Sequence, residues 1–148
     1  MFKCQKIFKV EYAHQLYSSY TNLCHETIHG HSGKIEIEFI SDSIDHYEKL
    51  NKDGMVIDFG LISDTVKQHI MDKYDHALFI PKMFPEGYIN GLKLFNKRLT
   101  VTNENPTAEN FAKMIFFEVD EILQKNDLPV TVNKVVFWET DTGCATYE

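Results

Sequence analysis

His29-Gly30-His31-Ser32-Gly33-Lys34-Ile35-Glu36-Ile37-Glu38-Phe39 alternates so regularly that it decides what this chain builds. His29, His31, Gly33, Ile35, Ile37 and Phe39 fall on one face of an extended strand, and Lys34, Glu36 and Glu38 on the other. That is the period of a half-buried strand. Both histidines extend the inward-facing row, and two imidazoles one residue apart leave the same side of the backbone, which lets them converge on one metal ion. Gly30 between them leaves the spot uncrowded. Upstream, Cys24, His25 and Glu26 bring the tally to three imidazoles, a thiol and a carboxylate within eight residues. A lone His-x-His is often only the polar end of a strand, so the pair needs company.

Working outward, that company is His14. Between Phe2 and His14 the even positions Phe2, Cys4, Phe8, Val10 and Tyr12 are mainly apolar and the odd ones include Lys3, Gln5, Lys9 and Glu11, so the segment reads as a second half-buried strand with His14 ending its apolar row. If the two strands are neighbours, three neutral imidazoles offer Zn²⁺ three ligands and leave a fourth position open, the arrangement of a catalytic site. Gln15 to Ile28 has no clean period and reads as a loop that delivers Cys24 and Glu26 to the second strand.

Downstream, Ser41 to Gly54 reads as a polar connection with a mobile tip carrying an exposed His46, leading through a long hairpin to a strand Met55-Val56-Ile57-Asp58. Phe59, Ile62, Val66 and Ile70 then predict an amphipathic helix capped by Asp58 and including His69. In Tyr74-Asp75-His76-Ala77-Leu78 an acid precedes a histidine. An aspartate that accepts an imidazole N–H fixes its tautomer, although a helix-end aspartate beside a packing histidine fits equally well. Phe79 to Asn103 reads as an elaborated connection that covers a pocket or a subunit face. Thr107 predicts the cap of a helix running to about Lys125, with Glu109 in its first turn and Phe111, Ile115, Val119, Ile122 and Leu123 on its buried side. Val130 to Thr140 and Cys144 to Tyr147 read as two final strands, joined by Asp141-Thr142-Gly143. Glu139 continues the apolar row of Val135 and Phe137, a costly place for a carboxylate unless it sits at the wet end or meets a ligand with paired N–H donors.

A length of 148 residues suits one domain, 1–148, with its own core. At 43% hydrophobic residues, with no long apolar run and no secretory leader at Met1-Phe2-Lys3, the expected protein is soluble and cytoplasmic, without membrane contact. Three widely spaced cysteines do not make a disulfide framework. A net charge of −7 without a basic cluster disfavours nucleic acid as a partner, but leaves room for a small anion met by local positive charge.

Ala13-His14, Cys24 ahead of His29-Gly30-His31, Gly54 through Asp58-Phe59, Asp75-His76, Pro106-Thr107 with Glu109, and Glu139-Thr140, in that order, resemble the 6-pyruvoyltetrahydropterin synthase and 6-carboxytetrahydropterin synthase family. The resemblance implies an α+β tunnelling fold, an antiparallel four-stranded sheet with two helices on one face. It also implies homo-oligomers: trimers whose sheets close a barrel, usually paired into hexamers, with active sites between subunits. By similarity His14, His29 and His31 bind Zn²⁺, Asp75 and His76 form a catalytic pair that can serve a neighbour's zinc, and Thr107 and Glu139 anchor the pterin ring. The implied substrate is 7,8-dihydroneopterin triphosphate and the favoured product 6-carboxytetrahydropterin, on the way to queuosine.

The family's usual base is a cysteine, which points to Cys24, yet Cys24 stands five residues before His29, a spacing that departs from related subfamilies. Glu26-x-x-His29-Gly30-His31 instead resembles a subfamily in which glutamate is the base and the product is 6-hydroxymethyl-7,8-dihydropterin, for folate. Carboxy, pyruvoyl and hydroxymethyl products all stay open. So does a non-catalytic pterin- or purine-binding module of the same fold. Val10 and Tyr12 depart from the aromatic and small residues usual ahead of Ala13-His14, and the Phe79 to Asn103 connection is longer than in compact relatives.

Overall fold

The computed structural model describes residues 1–44 and 54–148. His46 and the tip of the 41–54 connection lie outside the described residues. Six strands form one sheet: β1 (Phe2–His14), β2 (His29–Ser41), β3 (Ala77–Pro81), β4 (Leu99–Thr102), β5 (Thr131–Thr140) and β6 (Gly143–Tyr147). β1 and β2 pair antiparallel without a slip from Phe2 opposite Ser41 to His14 opposite His29. A slip of one residue would turn the two apolar rows to opposite faces. Phe8, Val10 and Tyr12 of β1 and Ile35, Ile37 and Phe39 of β2 are each no more than 5% exposed.

β5 runs antiparallel to β2, with Ile35 opposite Phe137, and a two-residue turn at Asp141-Thr142 returns the chain as β6. β1, β2, β5 and β6 form an antiparallel run within a sheet of six strands, where four were expected. The 79–103 connection adds what the sequence reading did not anticipate: β3 lies parallel to β1, and β4 parallel to β3, giving the order β4-β3-β1-β2-β5-β6. Every residue of Ala77–Pro81 is buried, so the segment has no alternation to betray it as a strand.

The helices are α1 (Leu23–Glu26), α2 (Phe59–Ile62), α3 (Gln68–Tyr74), α4 (Glu86–Phe95) and α5 (Ala108–Lys125), with a π-helical turn, Ser63–Lys67, joining α2 to α3. Met55–Asp58 is not the expected strand, so the described residues do not pair it with β2 in a long hairpin. Ile57 enters the core, and Asp58 takes the extended conformation of a helix cap, its Oδ1 accepting the Gly60 amide at 2.6 Å. The buried residues of 59–74 are Ile62, Val66, Ile70 and Tyr74, whereas Phe59, expected on the stripe, is 48% exposed. A four-residue repeat drifts by about 40° per step on an α-helix of 3.6 residues per turn, and the wider π turn takes up that drift. Helix 59–74 and α5 both pack on the inward row of the sheet, in one core with Phe111, Ile115 and Val119. α4 covers the other face at the β3 end, where Ile89 meets Leu78 and Ile80. No helix among the described residues is long and apolar enough to cross a membrane.

Glu118 ties the two core helices together. Its carboxylate accepts from His69 Nε2 at 2.8 Å, from the buried Tyr74 hydroxyl at 3.0 Å and from Lys73. Burial pushes the Glu118 carboxyl up, and these three donors together outweigh it, so the net direction is down. A depressed carboxyl contributes stability that is present above its unfolded value of 4.5 and lost as pH falls through the folded value. Glu118→Ala is expected to cost roughly 2–3 kcal/mol at pH 7, because it leaves the Tyr74 hydroxyl and Lys73 without their acceptor. Urea melts at stepped pH check this: the gap between the parent chain and the variant should hold from pH 7 to 5 and narrow as pH falls below 4.5, keeping the part due to the Tyr74 hydroxyl, which a protonated Glu118 still accepts.

Candidate metal centre

The register that builds the core also sets His14 opposite His29 and Tyr12 opposite His31. His14 is 1% exposed. Its Nδ1 lies 2.7 Å from the Pro106 carbonyl, just ahead of α5, and His29 Nδ1 lies 3.2 Å from the Thr27 carbonyl. A carbonyl only accepts, so both rings carry their proton on Nδ1 and turn a bare Nε2 lone pair inward. His14 Nε2 and His29 Nε2 are 3.0 Å apart, His31 Nε2 is buried with no partner among the described residues, and one nitrogen from each ring falls within 4.8 Å of the other two. Bare lone pairs at that separation repel unless a cation stands among them. Burial pushes His14 down to about 4, the Pro106 carbonyl opposing and His29 and His31 adding to it. Burial also lowers His31, against the pull of Glu139. Neutral, tautomer-fixed imidazoles with converging Nε2 atoms are the donor set that suits a borderline divalent ion such as Zn²⁺.

Glu139, following Val135 and Phe137 on the inward row of β5, reaches the same spot: its Oε1 is 3.6 Å from His14 Nε2 and 4.0 Å from His31 Nε2. Thr107 caps α5 as expected, its Oγ1 accepting the Asn110 amide at 3.4 Å. The backbone acceptors at Pro106 and Thr27 were not foreseen. A carbonyl has no residue-type signature, and only the fold could supply them.

Asp75 and His76 do pair, with His76 Nδ1 donating to Asp75 Oδ2 at 2.9 Å. Asp75 Oδ1 accepts the Glu11 amide at 2.8 Å, and that amide, ahead of the His76 ring, holds the Asp75 carboxyl below its usual range. His76 takes a left-handed φ of 55°, and Arg98, also unforeseen, donates to the carbonyls of Met71, Asp72 and Asp75. Neither residue belongs to the three-histidine group. His76 lines a cleft of about 490 Å³ with Glu11, Ala13, Gly30 and Ser32, which alternate along the strands with Tyr12, His14, His29 and His31, and Tyr12 and His31 border the same cleft.

Cys24 and Glu26 ride on α1, Cys24 half-buried and Glu26 exposed, and neither joins the three-histidine group. The turn is braced from behind. Leu16 N–H donates to the Cys24 carbonyl at 2.9 Å, Gln15 Nε2 to the His25 carbonyl at 2.6 Å, and the Tyr88 hydroxyl of α4 to Gln15 Oε1 at 2.5 Å. His25, the third imidazole of the cluster in sequence, turns away and stacks on Phe84. The long connection thus buttresses the turn that carries both candidate bases.

The family model described as 6-pyruvoyl tetrahydropterin synthase matches residues 3–148. A 6-carboxy-5,6,7,8-tetrahydropterin synthase of Rickettsia felis is 31% identical over 119 residues, 80% of each chain. Among solved structures, an uncharacterized protein from Wolinella succinogenes superposes with a TM-score of 0.78 at 21% identity, covering 99% of this chain and 97% of that one. The Caenorhabditis elegans 6-pyruvoyl tetrahydropterin synthase gives 0.68 at 19%, covering 99% and 94%. The sheet of β1, β2, β5 and β6 backed by two helices is therefore the tunnelling fold of these proteins, and the chain belongs to the 6-pyruvoyl tetrahydropterin synthase family.

Proposed function

We propose that this chain is a zinc-dependent lyase that converts 7,8-dihydroneopterin triphosphate to 6-carboxy-5,6,7,8-tetrahydropterin. The observation that carries the reading is the inward Nε2 set of His14, His29 and His31, two of whose tautomers are fixed by backbone carbonyls. The product follows the name of the Rickettsia felis relative. Bound there, Zn²⁺ supplies a Lewis acid that stabilises negative charge developing on the substrate's side-chain oxygens. Glu139 and Thr107 hold the pterin ring, a carboxylate being the natural acceptor for two adjacent ring N–H donors. A base on α1 removes a side-chain proton as triphosphate departs. Cys24 is that base for the carboxy product. Glu26, on the same turn of helix, is the base on the alternative reading that leads to 6-hydroxymethyl-7,8-dihydropterin.

His76 moves a proton, and Asp75 keeps its Nε2 free to do so by accepting from Nδ1. The pair is solvent-facing, with the His76 side chain 73% exposed, and neither residue belongs to the three-histidine group of its own chain. It therefore serves the histidine cluster of a neighbouring subunit in a homo-oligomer.

Three outcomes test the reading. His29→Ala loses its bound zinc by metal analysis together with its turnover, and His76→Ala keeps the zinc while turnover falls at least about 100-fold. Full turnover in both would sink the lyase. Mixed after partial unfolding, these two inactive variants should regain part of the activity if the site is shared between chains, and none if each chain is self-contained. Mass analysis of products with Cys24→Ala and Glu26→Ala assigns the base: loss of 6-carboxytetrahydropterin only in Cys24→Ala supports the carboxy route, whereas hydroxymethyldihydropterin that requires Glu26 supports the folate route.

A further inference from the structure

Tyr12 sits at the centre of the core beneath the histidine cluster, 5% exposed, its ring 5.4 Å from that of His14 and 5.6 Å from that of His31. Phe79, Phe111 and Phe137 enclose the rest of it. Its hydroxyl is fully buried and has no hydrogen-bond partner among the described residues. Such a donor is costly, and an apolar ring of the same shape would avoid the cost. Positions that break a local rule in this way concentrate where function demands it.

The direction of the side chain indicates what the hydroxyl is for. Tyr12 leans from β1 across β2 at Gly33, so closely that a Cβ on Gly33 would come within 2.9 Å of Tyr12 Cε1. The glycine is there to admit the ring. Beyond Gly33 lies β5, where Lys34 pairs with Trp138 and the next residue is Glu139. The Glu139 carboxylate meanwhile stands 3.6 Å and 4.0 Å from two imidazole nitrogens. The nitrogen of His14 is an acceptor when its ring is neutral, so it offers the carboxylate no hydrogen bond.

We propose that Tyr12 is a positioning residue for Glu139: its O–H donates to the Glu139 carboxylate once that group turns from the histidines to hold a pterin ring. A donor behind the carboxylate fixes its plane and leaves its outer lone pairs for the ligand. The inference rests on the reading of Glu139 as the pterin-binding carboxylate.

The test uses 7,8-dihydroneopterin as the probe, titrated calorimetrically into the zinc-loaded protein and into Tyr12→Phe, Glu139→Gln and the double variant, with thermal melts of each. Without ligand, Tyr12→Phe should melt about 2–4 °C higher, because an unpartnered buried hydroxyl has gone. Its zinc content should be unchanged and its affinity for the probe about tenfold weaker. A residue that only fills space would not produce these opposite signs. In the Glu139→Gln background, Tyr12→Phe should weaken binding by less than twofold, the signature of one residue acting through the other. Equal affinity of Tyr12→Phe and the parent chain would overturn the proposal and leave the pterin reading standing. A full tenfold loss in both backgrounds would detach Tyr12 from Glu139 and overturn it as well. Failure of the parent chain to bind the probe would remove the pterin reading and the proposal together.

Discussion

A slip of one residue between β1 and β2 would turn His14 to the face opposite His29 and His31, so the antiparallel register of these two strands is the constraint from which the site follows. Burial holds it. Phe8, Val10, Ile35, Ile37 and Phe39 lie on the same inward rows as the histidines, and each large side chain contributes about 1.5–3 kcal/mol when fully buried. The outer face agrees with the same register: Lys3 donates to Glu38 and Gln5 to Glu36, each at 3.0 Å, and Ser32 to Glu11 at 2.7 Å. Those exposed contacts are individually weak, and they select among registers rather than supply stability. The energy that gathers three mutually repelling imidazoles comes from the core.

The chain divides the site between rigid and adjustable parts. His14 is fixed by a strand and by the Pro106 carbonyl, which is set by the start of α5, where Thr107 Oγ1 accepts the Asn110 amide and Asn110 Nδ2 donates to the Asn105 carbonyl. Glu118 locks α5 in turn to helix 59–74. Cys24 and Glu26 occupy a single helical turn between β1 and β2, braced through Gln15 and Tyr88 by an element outside the antiparallel sheet. A cluster built on strands holds its geometry while the turn beside it can vary.

The legible parts of the sequence were those in which a period meets a core. Alternation through Phe2–His14 and His29–Phe39 predicted both strands and the shared face of the histidines, and the caps at Asp58 and Thr107 were recognisable from residue type. β3 and β4 were not legible, since a strand buried on both sides has no alternation and a parallel partner leaves no mark in the local sequence. Met55–Asp58 misled because three apolar residues ahead of a cap look like a strand until the helix claims the last of them. The Asp75-His76 pair could be read from adjacency, but its place outside the three-histidine group could not, because parity does not carry through a turn. Gly33 was the quiet clue. A glycine in the inward row of a strand signals a close approach, and here the approach is by Tyr12.

The exposure of the Asp75–His76 pair bears on how the chemistry is organised. The histidine cluster ends the buried rows of β1 and β2, whereas the pair faces solvent and stands outside the three-histidine group. On the proposed reading, assembly of subunits is then part of the catalytic apparatus rather than an addition to it. The same logic answers the charge problem, because a chain of net −7 that takes a triphosphate must meet it with local positive charge. On that reading a cation held by the histidines would supply part of that charge, and a neighbour's face closing on the cluster would exclude the water that screens it.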